Sequence, residues 1–351
     1  MGCLGIPFRC FEQTPPGIPW ELEQDSGLAF AVFCGASLCC AVPVVVSLTM
    51  PTATHHNTQT ALTVARSART LRDELDRIRA LGAKIAFVPT MGALHEGHLS
   101  LVRQAAQDGH AVCLSIFVNP TQFAPTEDLA NYPRDEARDL ELAADAGATV
   151  AFCPTAAEVY PEGFATSVIV DGPSRGLEGT VRPHHFAGVA TVVAKLLLMV
   201  RPDRVVFGQK DAQQVAVIGR MMGDLHLDDI ELVIGETVRE ADGLAMSSRN
   251  AYLSAGDRSA ATVLVRALKG AEQAVRSGVT RGNEIEEVAT TILAAEPRCA
   301  PDYVTLVDRV GFAPLDRLDV PATLCIAARI GTTRLIDNIP LDPPNQTQPE
   351  D

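Results

Sequence analysis

Two histidines straddle a glycine in His95-Glu96-Gly97-His98, and both can do chemistry. An apolar run, Lys84–Val88, leads into the turn and reads as a buried strand; Leu99–Ala106 follows with the spacing of a helix. A strand, a turn with glycines at Gly92 and Gly97, and a helix N-terminus together make a phosphate site. Free backbone N–H groups and the positive end of the helix dipole converge there. Imidazoles donate hydrogen bonds to phosphoryl oxygens, the two glycines let backbone approach the anion, and a His⁺ would stabilise a pentacoordinate phosphorus and a pyrophosphate leaving group. Metal chelation is the competing chemistry. It fits less well, because zinc-protease histidines lie four apart on a continuous helix, whereas these lie three apart with Gly97 interrupting and no third ligand in view. The plainest reading, histidines that only satisfy turn backbone, explains one imidazole more easily than two.

Two further polar clusters come after apolar runs, and a third lies just past the expected domain boundary at 237. Asn119 and Gln122 come after Ala111–Val118. Gly208-Gln209-Lys210-Asp211 comes after Arg204–Phe207 and opens a helix; Lys210 suits a phosphate as a mobile point charge and Asp211 a ribose hydroxyl, although Asp211 could equally be a helix cap. Met246-Ser247-Ser248-Arg249 offers two hydroxyls and a guanidinium in one loop, which is either an oxyanion clamp or an ordinary polar turn. Each is weak alone. Convergence of all four on one crevice is what an active site requires.

The elements that must position them alternate short apolar strands with amphipathic helices. Leu71, Leu75, Ile78 and Leu81 mark a helix that ends at Gly82; a second spans about Arg134 to Ala146; Thr149–Phe152 is a strand; Phe186–Val200 is a helix with Val189, Val193, Leu196, Leu197 and Val200 inward; and Glu231–Ile234 is a fifth strand. This alternation predicts a Rossmann-like α/β domain, a doubly wound parallel sheet over residues 61–237, with ligands beyond the carboxyl ends of its strands. After Thr237 the texture changes to two helices, Asp257–Ser277 and Gly282–Ala295, and three strands, Asp302–Val307, Ala322–Ala327 and Thr333–Ile336. A smaller α+β domain over 238–340 is expected.

A formal net charge of -14 argues against a broad nucleic-acid surface, which needs clustered Lys and Arg. Five of the nine cysteines (Cys3, Cys10, Cys34, Cys39 and Cys40) lie in the first forty residues, and no C-x-x-C pair occurs, so reduced thiols in a cytoplasmic protein are expected. Residues 1–60 stand apart from the rest. They hold the uncharged run Leu28–Leu48, long enough to be a membrane-span candidate but interrupted by Pro43 and small residues and flanked by acids. Translation from Met50 is the favoured explanation; a native peptide from upstream of Met50, seen by mass spectrometry, would sink it. The Pro- and Gln-rich tail 341–351 is expected to be disordered.

Five motifs in order, Pro89-Thr-Met-Gly-Ala-Leu-His-Glu-Gly-His98, Ser115-Ile-Phe-Val-Asn-Pro-Thr-Gln-Phe123, Arg182-Pro-His-His-Phe-Ala-Gly188, Gly208-Gln-Lys-Asp-Ala-Gln-Gln214 and Met246-Ser-Ser-Arg-Asn250, resemble those of the pantoate–β-alanine ligase (pantothenate synthetase) family. The resemblance runs from about Lys84 to Asn338, where Thr332–Asn338 matches the family's ending. It places the chain in the His-x-Gly-His nucleotidyltransferase superfamily. It implies a two-step ligation in which pantoate and ATP give pantoyl adenylate and pyrophosphate, and β-alanine then displaces AMP. By motif, Met91, Gly92, Ala93, Leu94, His95, Glu96, Gly97 and His98 would line the ATP site, with His98 the proton donor and His95 its partner. Gly208, Gln209, Lys210, Asp211, Val238, Met246, Ser247, Ser248 and Arg249 would complete it, Lys210 and Arg249 acting catalytically. Gln122 and Gln214 would hold pantoate, near Asn119, Arg182 and His185. The resemblance also implies Mg²⁺ with the ATP phosphates, Asp139 being the one candidate protein ligand, and a homodimer; neither nucleic acid nor a membrane is expected as a partner. Gln209 and Ala212 depart from residues common in the family, and neither change removes a phosphate donor. A tRNA synthetase would need an anticodon-binding domain and a basic face. A nucleotidyltransferase that stops at pyrophosphate release would not need Gln122 and Gln214. A decayed nucleotide sensor would not be expected to keep His95, His98, Lys210 and Arg249.

Overall fold

The structure, a computed structural model, describes residues 62–124, 129–130 and 132–344, all within one compact unit, Asn57–Asp351. The expectations for the N-terminal extension and for the tail beyond 344 lie outside the described residues; Leu341, expected to open the disordered tail, instead ends the strand Thr333–Leu341 and is 3% exposed.

Six strands, β1 (Thr63–Ala65), β2 (Ile85–Thr90), β3 (Ala111–Ile116), β4 (Ala148–Phe152), β5 (Arg204–Gly208) and β6 (Glu231–Gly235), form one parallel sheet in the order β1-β4-β3-β2-β5-β6. Ile85–Val88 are wholly buried because both faces of the sheet are covered, so the strand reads as an unbroken apolar run. Alternate side chains go to separate cores. Ile85, Phe87, Cys113, Phe152 and Val205 face α1 (Ala68–Ala80), α6 (His185–Val200) and α7 (Ala212–Asp224). Ala86, Val88, Leu114 and Val206 face α2 (Glu96–Ala105), with Ala143 of α3 (Glu136–Asp145) in the same cluster. Helix α6 buries eleven of its sixteen residues, which explains its nearly all-round apolar sequence. The short helices α4 (Ala156–Val159) and α5 (Leu177–Val181) lie in the connection between β4 and α6.

The chain moves outward from β2 in both directions, to β3 on one side and later to β5 on the other. The crevice beyond the carboxyl ends of β2 and β5 is therefore the switch point where doubly wound sheets bind ligands. The histidine turn leaves β2 and the Gln209–Asp211 turn leaves β5.

The C-terminal part places α8 (Ala255–Ala260), α9 (Val263–Arg276) and α10 (Gly282–Ala294) before an antiparallel sheet of β7 (Cys299–Asp308), β8 (Ala322–Ile330) and β9 (Thr333–Leu341). Leu324 and Ile326 of β8 face a core with Leu264, Leu268 and Ile285. Cys325, between them, faces the other way and joins Val307, Phe312, and Ala212 and Ala216 of α7. The small sheet is thus pressed directly against the helix that succeeds the Gln209–Asp211 turn.

Four further expectations need correction. Strand β1 is absent from the sequence pattern, because three residues at a sheet edge carry no measurable alternation. Leu81 is the C-cap of α1 and 76% exposed, outside the buried stripe of Leu71, Leu75 and Ile78. The expected helix Asp257–Ser277 is two helices, α8 and α9, with Ala261 and Thr262 between them. Finally, Gly97 does not interrupt a helix, since α2 begins at Glu96 and carries Gly97 and His98 in its first turn.

Candidate active site

The histidine turn is built from its own side chains. His95 is the N-cap of α2, and its Nδ1 accepts from the Gly97 N–H at 3.2 Å. The His98 Nδ1 accepts from the His95 N–H at 3.4 Å, closing a capping box made of imidazoles. The rings lie 4.1 Å apart between centroids, tilted by 37°. With both Nδ1 atoms accepting, each neutral ring carries its proton on Nε2, a tautomer assigned from the hydrogen bonds. Two N–H donors are thereby left for an anion.

Burial shifts both imidazoles toward the neutral form, away from the His⁺ expected of the turn. Burial pushes His98 from its ordinary 6.5 down to about 3, with His95 and Lys210 adding repulsion. His95 is lowered for the same reasons, burial first and then Lys210, with Asp211 and Glu240 opposing.

The glycines also make room for side chains of the turn. A Cβ on Gly97 would meet the His95 ring at 2.9 Å, so the glycine lets the ring fold back over the helix. Gly92 has φ +82°, and a Cβ there would lie 2.8 Å from Asp139 Oδ2. Asp139 is 2% exposed; its Oδ2 accepts from the Ala93 N–H at 2.9 Å and its Oδ1 from the Leu94 N–H at 2.7 Å. Both oxygens of the candidate Mg²⁺ ligand are thus committed to the turn. We expect Asp139→Ala, which strands two N–H groups, to cost about 2–5 kcal/mol of stability and to weaken ATP binding as the turn loosens; chemical denaturation and nucleotide titration check it, and wild-type values in both would refute the support role.

Asn119 ties the second motif together. It is 1% exposed, its Oδ1 accepts from Tyr160 Oη at 2.7 Å, and its Nδ2 donates to Gln122 Oε1 at 3.1 Å and to the Gly188 carbonyl at 3.2 Å. Gln122, so held, points Nε2 at Met91 Sδ, 3.0 Å away. The Gln122 backbone carbonyl accepts from His185 Nδ1 at 3.1 Å and Arg182 Nη2 at 3.4 Å, which brings the third motif against the second. Helix α6 approaches closely enough for this only because residue 188 is glycine: a Cβ would lie 2.4 Å from the Thr121 carbonyl.

Across the cleft, Lys210 Nζ lies 3.5 Å from Asp211 Oδ1. Desolvation works to raise the Asp211 carboxyl, but Lys210 and Arg249 hold it below its ordinary range. Ser247 caps the short turn Ser248–Tyr252 by accepting from the Arg249 N–H at 3.3 Å. The Met246 N–H donates to the Val238 carbonyl at 3.0 Å, tying that loop to β6's extension.

These loops enclose a cavity of 480 Å³, within the span of roughly 300–1,000 Å³ usual for small-molecule sites. Met91, His95, Gly97, His98, Asn119, Gln122, Arg182, His185, Gly208, Lys210, Asp211, Gln214, Val238 and Met246 to Arg249 all line it. Gly92, Ala93, Leu94, Glu96 and Gln209 do not. Leu94 is core, Glu96 is exposed and paired with Arg103, and the Gln209 amide is turned to Asn338. Further lining residues lie outside the expected set, among them Glu178, Tyr303, Arg334 and Asn338. Glu178 of α5 takes a bidentate Arg334 (2.7 and 2.6 Å) and the Tyr303 hydroxyl (2.8 Å), and Asn338 caps the Lys210 turn. Arg334 and Asn338 carry a sequence signal, since both lie in the last motif, Thr332–Asn338; Glu178 and Tyr303 carry none. Gln213, also outside that set, fixes the α5 loop by donating to the Pro173 carbonyl at 3.0 Å and accepting from the Glu178 N–H at 3.0 Å. No cluster of three His, Cys, Asp or Glu able to hold a metal occurs among the described residues, and no helix among them is long and apolar enough to cross a membrane.

The family model described as pantoate-beta-alanine ligase matches residues 63–340. The pantothenate synthetase of Rhizorhabdus wittichii is 51% identical over 286 residues, covering 80% of this chain and 99% of that protein. That of Acidiphilium cryptum is 53% identical over 263 residues, covering 73% and 91%. Among solved structures, pantothenate synthetase from Thermus thermophilus superposes with a TM-score of 0.75 at 44% identity, over 80% of this chain and 100% of that one. The pantoate-beta-alanine ligase of Francisella tularensis, complexed with beta-gamma ATP and beta-alanine, gives 0.64 at 31% identity over 80% and 97%. Over the span that holds every loop of the cleft, the chain belongs to the pantoate–β-alanine ligase family.

Proposed function

We propose that the protein condenses pantoate with β-alanine at the expense of ATP, through pantoyl adenylate, in the cytoplasm. The observation that carries this is the pair of unlike walls on one cleft. Neutral imidazole donors, Lys210 and the Ser247–Arg249 loop suit a triphosphate, while the Gln122 and Gln214 amides suit a hydroxy acid beside it. The pantoate carboxylate attacks the α-phosphorus, a new P–O bond forms, and the bond to the pyrophosphate oxygen breaks. His95 and His98 donate through Nε2–H to the phosphoryl oxygens, and Lys210 and Arg249 balance the charge that moves to pyrophosphate. The amine of β-alanine then attacks the acyl carbon and AMP departs. A phosphoric mixed anhydride is a competent acyl donor where a carboxylate is not.

Asp139 does not line the cleft, and of the carboxylates that do, Glu178 is held by Arg334 and Asp337 by Arg239, so Asp211 and Glu236 would be the ones to meet a Mg²⁺ that takes most of its ligands from phosphates and water. Bound so, Mg²⁺ would neutralise phosphate charge. Residues 61–237 serve as the nucleotide and pantoate domain and 238–340 as a lid over the phosphates, and the enzyme works as a homodimer. Incubation with ATP, pantoate and β-alanine should yield AMP and pantothenate together, with pyrophosphate release needing pantoate. Consumption of ATP with a different acid only, or none at all, would overturn the reading.

A further inference from the structure

We propose that Asn338 is a positioning residue for Lys210, its side-chain amide clamping the backbone of the Gln209-Lys210 turn from the opposite sheet. Asn338 Nδ2 donates to the carbonyls of Gln209 (3.0 Å) and Lys210 (2.9 Å), and Gln209 Nε2 donates back to Asn338 Oδ1 at 3.0 Å. Two carbonyls can only accept, so the amide's orientation is set by its partners. The side chain is buried, at 4% exposure. Its own backbone is fixed in turn: the Asn338 N–H donates to Asp337 Oδ1 at 2.8 Å, and Asp337, 2% exposed, takes a bidentate Arg239 at 2.7 and 3.0 Å.

Lys210 needs such an anchor. Its ammonium rides on four rotatable bonds, and the turn that carries it is three residues of tight helix between β5 and α7. No side chain caps that turn at Gly208. The clamp fixes the root of the lysine side chain where the cleft begins and ties it to β9. Asparagine is the residue that can do this, since aspartate would face two carbonyls with a carboxylate and alanine would leave both without their donor.

The inference rests on the ligase reading only in that Lys210 meets a phosphate, and a double-mutant cycle separates the two. Pyrophosphate release from ATP and pantoate is measured for the wild type, Asn338→Ala, Lys210→Ala and the double variant, with thermal melting to confirm folding. We expect Asn338→Ala to slow this step by about 10- to 100-fold, and the double variant to match Lys210→Ala within about twofold, because the effect passes through the lysine. Aminolysis of supplied pantoyl adenylate should change little. Independent, multiplying effects, equal slowing of both half-reactions, or an unchanged rate in folded Asn338→Ala would each overturn the proposal. Should Asn338→Ala not fold, Gln209→Ala, which removes one of the three bonds, takes its place in the same cycle with a smaller expected effect. A wild type that releases no pyrophosphate with pantoate would instead refute the ligase reading.

Discussion

Replacing His98 by alanine should leave the fold intact and slow pantoyl adenylate formation by about 10²–10³-fold, the usual loss for one preorganised donor to a developing charge. The fold should survive because the ring supplies only one long bond to the turn, 3.4 Å from the His95 N–H, while Asp139 holds the adjoining backbone independently. The rate should fall because the capping box fixes the ring on the cavity wall before substrate arrives, which keeps reorganisation in the transition state small. The loss should appear in kcat as well as kcat/KM, since a contact that strengthens in the transition state contributes little to ground-state binding. Near-normal pyrophosphate release would rule the role out.

The protonation state gives the same residue a second test. An imidazolium of ordinary pKa would make adenylation at low ATP fall about tenfold per unit between about pH 7 and 9. Burial lowers the His98 pKa to about 3, so the free enzyme carries neutral donors throughout and the adenylation profile should be flat there. A steep decline that disappears in His98→Ala would show that the charged form is needed after all.

Much of this site is legible in the residues alone, for a physical reason. Strands buried on both faces leave unbroken apolar runs, and their carboxyl ends are where ligands gather. The polar residues just past each run therefore mark the cleft, which is how His95, Gln122, Lys210 and their neighbours can be placed. The remainder depends on contacts far apart in the chain. That Gly92 also makes room for Asp139, and Gly97 for the His95 ring, shows only in the folded turn. Asp139 looks like a metal ligand because a carboxylate's partners 45 and 46 residues away leave no local pattern. The charge of His98 depends on burial, which periodicity does not report. Glu178 and Arg334 are separated by 156 residues, and nothing near either announces the other.

That pair sets the second large effect. Glu178 and Arg334 are both mostly buried, with side-chain exposures of 11% and 17%, and the Tyr303 hydroxyl completes the cluster. Glu178→Ala would leave a guanidinium facing only Asp302 and a tyrosine hydroxyl without its acceptor. Breaking one side of such a pair costs about 3–5 kcal/mol, on the order of 5–10 °C in melting temperature. Glu178→Gln keeps the shape and the acceptor for Tyr303, so it should lose less. Burial alone would raise the Glu178 carboxyl, but Arg334 and Tyr303 hold it below its ordinary 4.5. Its contribution is therefore present above about pH 4.5 and is lost as the pH falls through the lowered folded value, so the gap between wild type and Glu178→Gln should narrow in acid. A gap constant down to about pH 3 would mean the pair does not titrate as a unit. The cluster joins α5, in the connection between β4 and α6, to β7 and β9 of the small sheet. If the small sheet is the lid that keeps water from the adenylate, loosening this tie should let AMP accumulate faster than pantothenate. A one-to-one ratio in a destabilised Glu178→Ala would assign the pair to stability and leave water exclusion to the rest of the interface.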